Sequence, residues 1–266
     1  MTLEQNVREA NSVLVAIKDK IVECGVEVAE GTHARDYTNK VGEVFNEGKK
    51  SAYDEFWDNY QDYGNRTHYY NAFSLYGWTE NTYKPKYDIT PTSATNMYWG
   101  AQLKKISYGN VKIDFSKCTA LNQVFQGANQ IGVVNVDVDV DCSSATEISQ
   151  TFSYNPMLVS IKKLIVHEAL TYKNVFSGSG YIEELQVEGI IGQDGFSIAS
   201  TKLNRASIVS IINALSSTAS GKAVGLSKTA INTAFETSSG KKDGSTSAEW
   251  LALVATKPNW TISLAP

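Results

Sequence analysis

Leu3, Val7, Ala10, Leu14, Ile17, Ile21, Cys24 and Val28 follow one another at alternating steps of four and three. That is the heptad spacing which keeps a narrow seam of a helix facing a partner. A seam of about three heptads is marginal alone because helix nucleation is costly. It therefore predicts a second helix, either from a symmetry mate, giving a homo-oligomer through residues 3–28, or from later in the same chain. A further helical region is expected over 35–60, where Tyr53, Phe56, Trp57 and Tyr60 stand at i, i+3, i+4 and i+7 and form one aromatic face. This face either packs against the next part of the chain or, left exposed, makes a ligand platform.

Beyond residue 70 the pattern changes from a helical period to a long one. Phe73, Tyr98, Phe125, Phe152 and Phe176 recur at spacings of 25, 27, 27 and 24 residues. Around the last three, apolar positions recur in step. Leu121, Ile148 and Tyr172 stand four before the ring, Ile131, Leu158 and Ile182 six after it, and Val134, Ile161 and Leu185 nine after it. Ile113, Val140 and Leu164 stand twelve before it. An apolar layer regenerated once per unit is what a solenoid needs, because each unit buries its face only against its neighbours. NVKIDF, NVDVDVD and ELQVEG alternate as short strands. TALNQVF, ATEISQTF and LTYKNVF are expected as a turn of α or 3₁₀ helix that delivers the ring inward.

After the repeat, SIASTKLNRASIVSIINALSS offers small hydroxyl residues to cap a helix whose apolar side is Ala206, Ile208, Val209, Ile211, Ile212 and Leu215. KAVGLS is expected as a strand, KTAINTAFET as a short helix and TSSGKKDGSTS as an exposed loop. Trp250, Leu251, Leu253 and Val254 are expected to return to the core, with Trp260, Ile262 and Leu264 alternating in a last strand. Together these cover the final layer of the solenoid.

The units CTALNQVFQGANQIGVVNV, SSATEISQTFSYNPMLVSI and EALTYKNVFSGSGYIEEL resemble the BspA-like, treponemal-pathogen-type class of leucine-rich repeat, over roughly residues 68–190. YTNKVGEVFNEGKKSAYDEFWDNYQDYGNRTHYYNAF resembles the helical lead-in of such proteins from Firmicutes and their phages. KLNRASIVSIINALSSTASGKAVGLSKTAINTAF with NWTI resembles their closing segment. The resemblance implies a noncatalytic binding or structural protein, of the kind found among cell-surface or phage tail genes, and supplies no functional residues to carry over.

The expected fold is accordingly α/β: a leucine-rich-repeat-like solenoid of short parallel strands with helical or 3₁₀ turns, a helical amino-terminal region and an α/β carboxyl-terminal cap. Its divisions are 1–66 for the stem and first cap, 67–190 for the solenoid and 191–266 for the closing cap.

Composition narrows the chemistry. Twenty-four Lys and Arg against 28 Asp and Glu give a net charge of −4, so no global basic footprint recommends nucleic acid as a partner. The start lacks the features of a signal peptide, and no apolar run reaches membrane-spanning length. The expectation is a chain without membrane insertion, carried outside, if at all, as part of a released particle. Cys24, Cys118 and Cys142 show no CxxC spacing and are expected as free thiols. His33, His68 and His167 stand apart from other ligand types, and no GxSxG elbow or phosphate-binding loop is present. No cofactor is called for.

Two clusters remain. Tyr69, Tyr70, Tyr76, Trp78, Tyr83 and Tyr87, flanked by Asp58 and Asn71, either stack on a sugar or anchor a protein, or cap the solenoid's first coil. Asp137, Asp139 and Asp141 are expected on one strand face, as a weak calcium candidate or as a solvated ridge that discourages edge pairing. The functional expectation is a noncatalytic protein, phage or prophage tail-associated, displaying a repeat surface to a protein or glycan. The alternatives are a bacterial cell-surface adhesin and a glycan-active enzyme with two converging carboxylates.

Overall fold

The computed structural model describes residues 15, 18, 19, 22, 69, 72–74, 83–128, 132–238 and 240–266. The chain divides into two units, Met1–Asn59 and Tyr60–Pro266. In the first, Val15, Lys18, Asp19 and Val22 are helical, with Val15 and Val22 exposed. The heptad seam 3–28 and the aromatic face 53–60 otherwise lie outside the described residues.

The second unit is mixed α/β, with short parallel strands in small sheets. Its first strands are β1 (Asn135–Asp141), β2 (Glu147–Ser149), β3 (Ser160–Val166), β4 (Thr171–Lys173) and β5 (Glu184–Gly189). They form two parallel sheets, ordered β1-β3-β5 and β2-β4. Equivalent apolar positions meet across neighbours: Val136 with Ile161 and Ile161 with Leu185, then Val140 with Leu164 and Leu164 with Val187. Isolated parallel bridges, Ile89 to Ile113 and Ser93 to Ala120, continue the same pairing backward. The NVKIDF segment thus contributes a bridge rather than a full strand.

The five rings form one buried column. Phe73–Tyr98, Tyr98–Phe125, Phe125–Phe152 and Phe152–Phe176 lie 5.3, 5.5, 5.4 and 5.5 Å apart between centroids, and the last three pairs are stacked nearly parallel at 8°, 8° and 4°. Phe196 closes it edge-on at 5.5 Å from Phe176. A ladder of amides runs beside the rings. The N–H groups of Asn96, Tyr98 and Gly100 donate to the carbonyls of Asn122, Val124 and Gln126. Those of Gln123, Phe125 and Gly127 donate to Ser149, Thr151 and Ser153, and those of Gln150, Phe152 and Tyr154 to Lys173, Val175 and Ser177. Buried backbone must be paired, and here each segment satisfies the next with the same three groups.

The stretches before the rings are not helical. ATEISQTF and LTYKNVF contain β2 and β4, and a left-handed residue stands two before each of the last four rings: Asn96 (φ 56°), Gln123 (57°), Gln150 (54°) and Asn174 (52°). A four-residue spacing puts Ile148 and Phe152 on one helical face, but a short strand followed by a left-handed turn also returns both side chains to the core. Val134 is half-buried, because Val136 takes the place expected of it in register with Ile161.

The remaining elements are β6 (Ser197–Ile198), α1 (Arg205–Ala214), β7 (Lys222–Ser227), α2 (Lys228–Ala234), a 3₁₀ turn at Gly244–Thr246, α3 (Ala248–Ala255) and β8 (Trp260–Ala265). The strands form a parallel sheet ordered β6-β7-β8. Asn204, rather than a hydroxyl residue, caps α1 by accepting from the Ser207 amide at 2.9 Å, while Ser227 and Ser247 cap α2 and α3. Two hydroxyls within the helix serve β5: Ser207 Oγ accepts from Leu185 N at 2.9 Å and Ser210 Oγ from Val187 N at 3.1 Å. Helix α1 thereby satisfies a strand edge that a further strand would otherwise pair. Of the stretch expected to re-enter the core, only Trp250 does so. Leu251 is 53% exposed and Leu253 and Val254 are half-buried.

Candidate functional site

Among the sequence candidates, Tyr69 and Tyr83 are core residues, 1% and 2% exposed. Tyr83 packs edge-on against Phe73 and Tyr98, and its hydroxyl lies 2.8 Å from that of Tyr98. Burial pushes its phenol well above the usual tyrosine range. These two rings pack against the start of the column and offer no face to a ligand. Tyr87 is half-buried, and Tyr70, Tyr76 and Trp78 lie outside the described residues.

The three aspartates border one open groove, but each is held by a different partner. The pairing of β1 with β3 shifts register between Val136 and Asp139, and such a bulge interrupts strict alternation. Asp137 accepts from the amides of Ile106 and Ser107, at 3.2 and 2.8 Å, and from the Ser107 hydroxyl. Asp139 sits 3.0 Å from Lys162 and 3.8 Å from Lys163, and Asp141 accepts from Ser143 N at 2.8 Å. Among the described residues no three His, Cys, Asp or Glu side chains are grouped to hold a metal ion, so the calcium expectation is not carried forward.

Cys118 and Cys142 are buried free thiols, and burial pushes the Cys118 thiol up to about 11 and Cys142 further still. Such thiols are poor nucleophiles. His167 Nε2 lies 2.7 Å from the carbonyl of Ala145, which assigns it a structural bond. Cys24, His33 and His68 lie outside the described residues.

Two surfaces are organised enough to bind. One is the outward face of β1-β3-β5, where Asp139, Lys163 and Glu188 alternate in sign across three neighbouring strands, with Lys163 Nζ 2.9 Å from Glu188. The Glu188 carboxylate, and then Asp139, raise the Lys163 pKa. Beside this ladder an open groove of about 400 Å³ is bordered by Lys112, Asp114, Asp137, Asp141 and Lys162 over Val138 and Ile165. The hydroxyl and amide of Ser116, followed by Lys112, hold Asp114 down at about 2, so its carboxylate is charged at all ordinary pH. A mixed-charge groove of this kind suits a polar, extended ligand.

The other surface lies on the turns after the rings. Tyr154 and Tyr181 are 55% and 53% exposed, and Met157 joins them at 45%. Met157 and Tyr181 stand at equivalent positions, five after Phe152 and Phe176. Lys202 Nζ lies 4.2 Å from the Tyr181 ring centroid, a cation–π contact. Tyr154 has φ 49°, and its ring approaches Gly178 so closely that a Cβ there would lie 3.0 Å from Tyr154 Cδ1. The sequence contained a signal for this site: two residues after the last four rings stand Gly100, Gly127, Tyr154 and Gly178, so among these four the tyrosine is the departure. The charge ladder left no such mark, because β1 and β3 each carry an extra residue that moves Lys163 beside Asp139.

Among the described residues, no helix is long and apolar enough to cross a membrane. Comparison of the chain with protein-family models, with curated proteins and with solved structures finds no match.

Proposed function

We propose that the second unit is a leucine-rich-repeat-like solenoid of the BspA type and that the protein is noncatalytic, presenting its repeat surface to a protein or glycan. The observation that carries this reading is the buried column of five rings at 5.3–5.5 Å, one ring per 24–27 residues. A chain whose core repeats in this way leaves its outward positions free to vary without disturbing the fold. Here those positions hold the alternating ladder Asp139–Lys163–Glu188 and the exposed Tyr154, Met157 and Tyr181. Exposed aromatic rings anchor partners well, because they bring large contact area at small entropy cost.

The association with a phage or prophage tail rests on the resemblance of the repeat units and their flanking segments, with residues 3–28 as an oligomerising stem. Two measurements test these parts separately. Fluorescently labelled full chain is titrated onto bacterial cells and immobilised glycans, beside Tyr154→Ala/Tyr181→Ala and Lys162→Glu/Lys163→Glu variants. The display reading expects saturable binding weakened about tenfold or more by one of the two variants; binding indifferent to both contradicts it. Mass spectrometry of purified particles from the producing culture is expected to find the chain at stoichiometric level, and its absence from particles contradicts the tail assignment.

A further inference from the structure

β8 is the edge strand of the sheet β6-β7-β8, and among the described residues it is paired on one side only, with β7, over all six of its residues. A strand edge presents a row of backbone donors and acceptors, so what completes it is another extended polypeptide. Natural edges are commonly protected by a lysine, another inward charge, a bulge or a proline within the strand. WTISLA has none of these, and its six pairs with β7 run in unbroken register. Pro258 and Pro266 flank it, and proline, lacking an N–H, limits pairing to the segment between them.

The side chains narrow the occupant. Ile262 and Leu264 stand in register with the buried Val224 and Leu226 of β7, yet remain half-exposed for want of a neighbour on the far side. Thr261 and Ser263, on the other face, are exposed and uncharged. The occupant is therefore an uncharged strand with apolar residues at alternate positions. The charge paired in register with the strand, Lys222 opposite Trp260 on β7, is engaged by Gln193 at 3.2 Å and Asp194 at 3.8 Å, and Lys257, three residues before the strand, donates to the carbonyls of Asn213 and Leu215. A second copy of β8 meets each requirement without opposing like charges.

We infer that β8 is a self-association edge, at which two copies pair antiparallel about a two-fold axis and join two three-stranded sheets into one of six. Directly opposed residues of an antiparallel pair share a face. A two-fold axis at Ser263 sets Ile262 opposite Leu264 of the second copy and Ser263 opposite itself. An axis at Ile262 sets Thr261 opposite Ser263. In both registers Ser263 of one copy lies opposite Thr261 or Ser263 of the other, so charges placed at 261 and 263 meet across the junction.

The test is light scattering after size exclusion, on the full chain over a range of concentrations, with Thr261→Lys/Ser263→Lys and Thr261→Glu/Ser263→Glu variants. Both positions are exposed, and retained melting behaviour of each variant checks the fold. The expected result is concentration-dependent doubling of the wild-type mass, weakened about tenfold or more in either variant by like charges placed in apposition, and restored when the two variants are mixed. A wild-type chain that does not double, or an oligomer indifferent to both substitutions, as a stem through residues 3–28 would be, overturns the inference. So does a mixture that fails to recover.

Discussion

Tyr154 occupies a left-handed backbone position that Gly100 and Gly178 hold in other segments, and left-handed conformation costs a side-chain-bearing residue about 1–2 kcal/mol. Replacing it with glycine exchanges that strain for the loss of an exposed ring. Tyr154→Gly is thus expected to change stability by no more than about 1 kcal/mol in urea unfolding, whereas Phe152→Ala, two residues away in the column, is expected to cost about 3–5 kcal/mol. Gly127 is constrained in the opposite sense: a Cβ there would lie 2.2 Å from the Tyr154 carbonyl oxygen, a backbone atom that has no rotamer to yield. Gly127→Ala is expected to destabilise by about 1–3 kcal/mol in the same measurement. The rings and the apolar positions around them were legible in the sequence because they recur at a long period. The left-handed Gln123 and Gln150 were not, since glutamine has no preference that marks such a turn.

At the scale of elements, the junction between β5 and α1 rests on two hydroxyls. Removing both, in Ser207→Ala/Ser210→Ala, leaves the buried amides of Leu185 and Val187 without their acceptors, at about 1–3 kcal/mol each. Hydrogen exchange at these two amides is expected to accelerate more than at Ile161 or Leu164. Exchange unchanged at both would contradict the capping role. The segment was readable as a helix from its apolar period, but the expected hydroxyl cap from its opening residues was not found, because Asn204 takes that place. Glu168 is a second junction, accepting from Ser216 Oγ at 2.7 Å and Thr218 Oγ1 at 2.9 Å, and these bonds lower its pKa below the ordinary 4.5. A depressed carboxylate contributes stability above its unfolded pKa and loses it as pH falls through the folded value. Glu168→Gln is therefore expected to unfold at lower urea concentration than wild type at pH 7 and to show a shallower loss of midpoint as pH falls below the ordinary 4.5. Parallel acid limbs for the two chains would contradict it.

For the whole second unit, the central claim is that the structure is nearly one-dimensional, each segment of 24–27 residues being supported by its neighbours. The ring column was legible from the positions of Tyr98, Phe125, Phe152 and Phe176, and β1 and β5 from the alternation in NVDVDVD and ELQVEG. What was not legible came from long-range geometry. The bulges that separate Asp137 from Asp139 depend on pairing with β3, and the choice between a ligand face and a cap for Tyr69 and Tyr83 depends on their lying against Phe73 and Tyr98. The exposure of Leu251 and the open edge of β8 likewise depend on where the packed layers stop. The measurement that tests the claim most directly is thermal unfolding, followed by circular dichroism, of a chain from which residues 123–149 are excised, so that Gln150 follows Asn122 and one left-handed turn takes the place of its equivalent. The account predicts a folded chain with a single cooperative transition at reduced temperature, while removal of only 123–135, which breaks the period, abolishes folding. If excising the whole period unfolds the protein as completely as excising half of it, the units are not interchangeable layers and the solenoid reading is wrong.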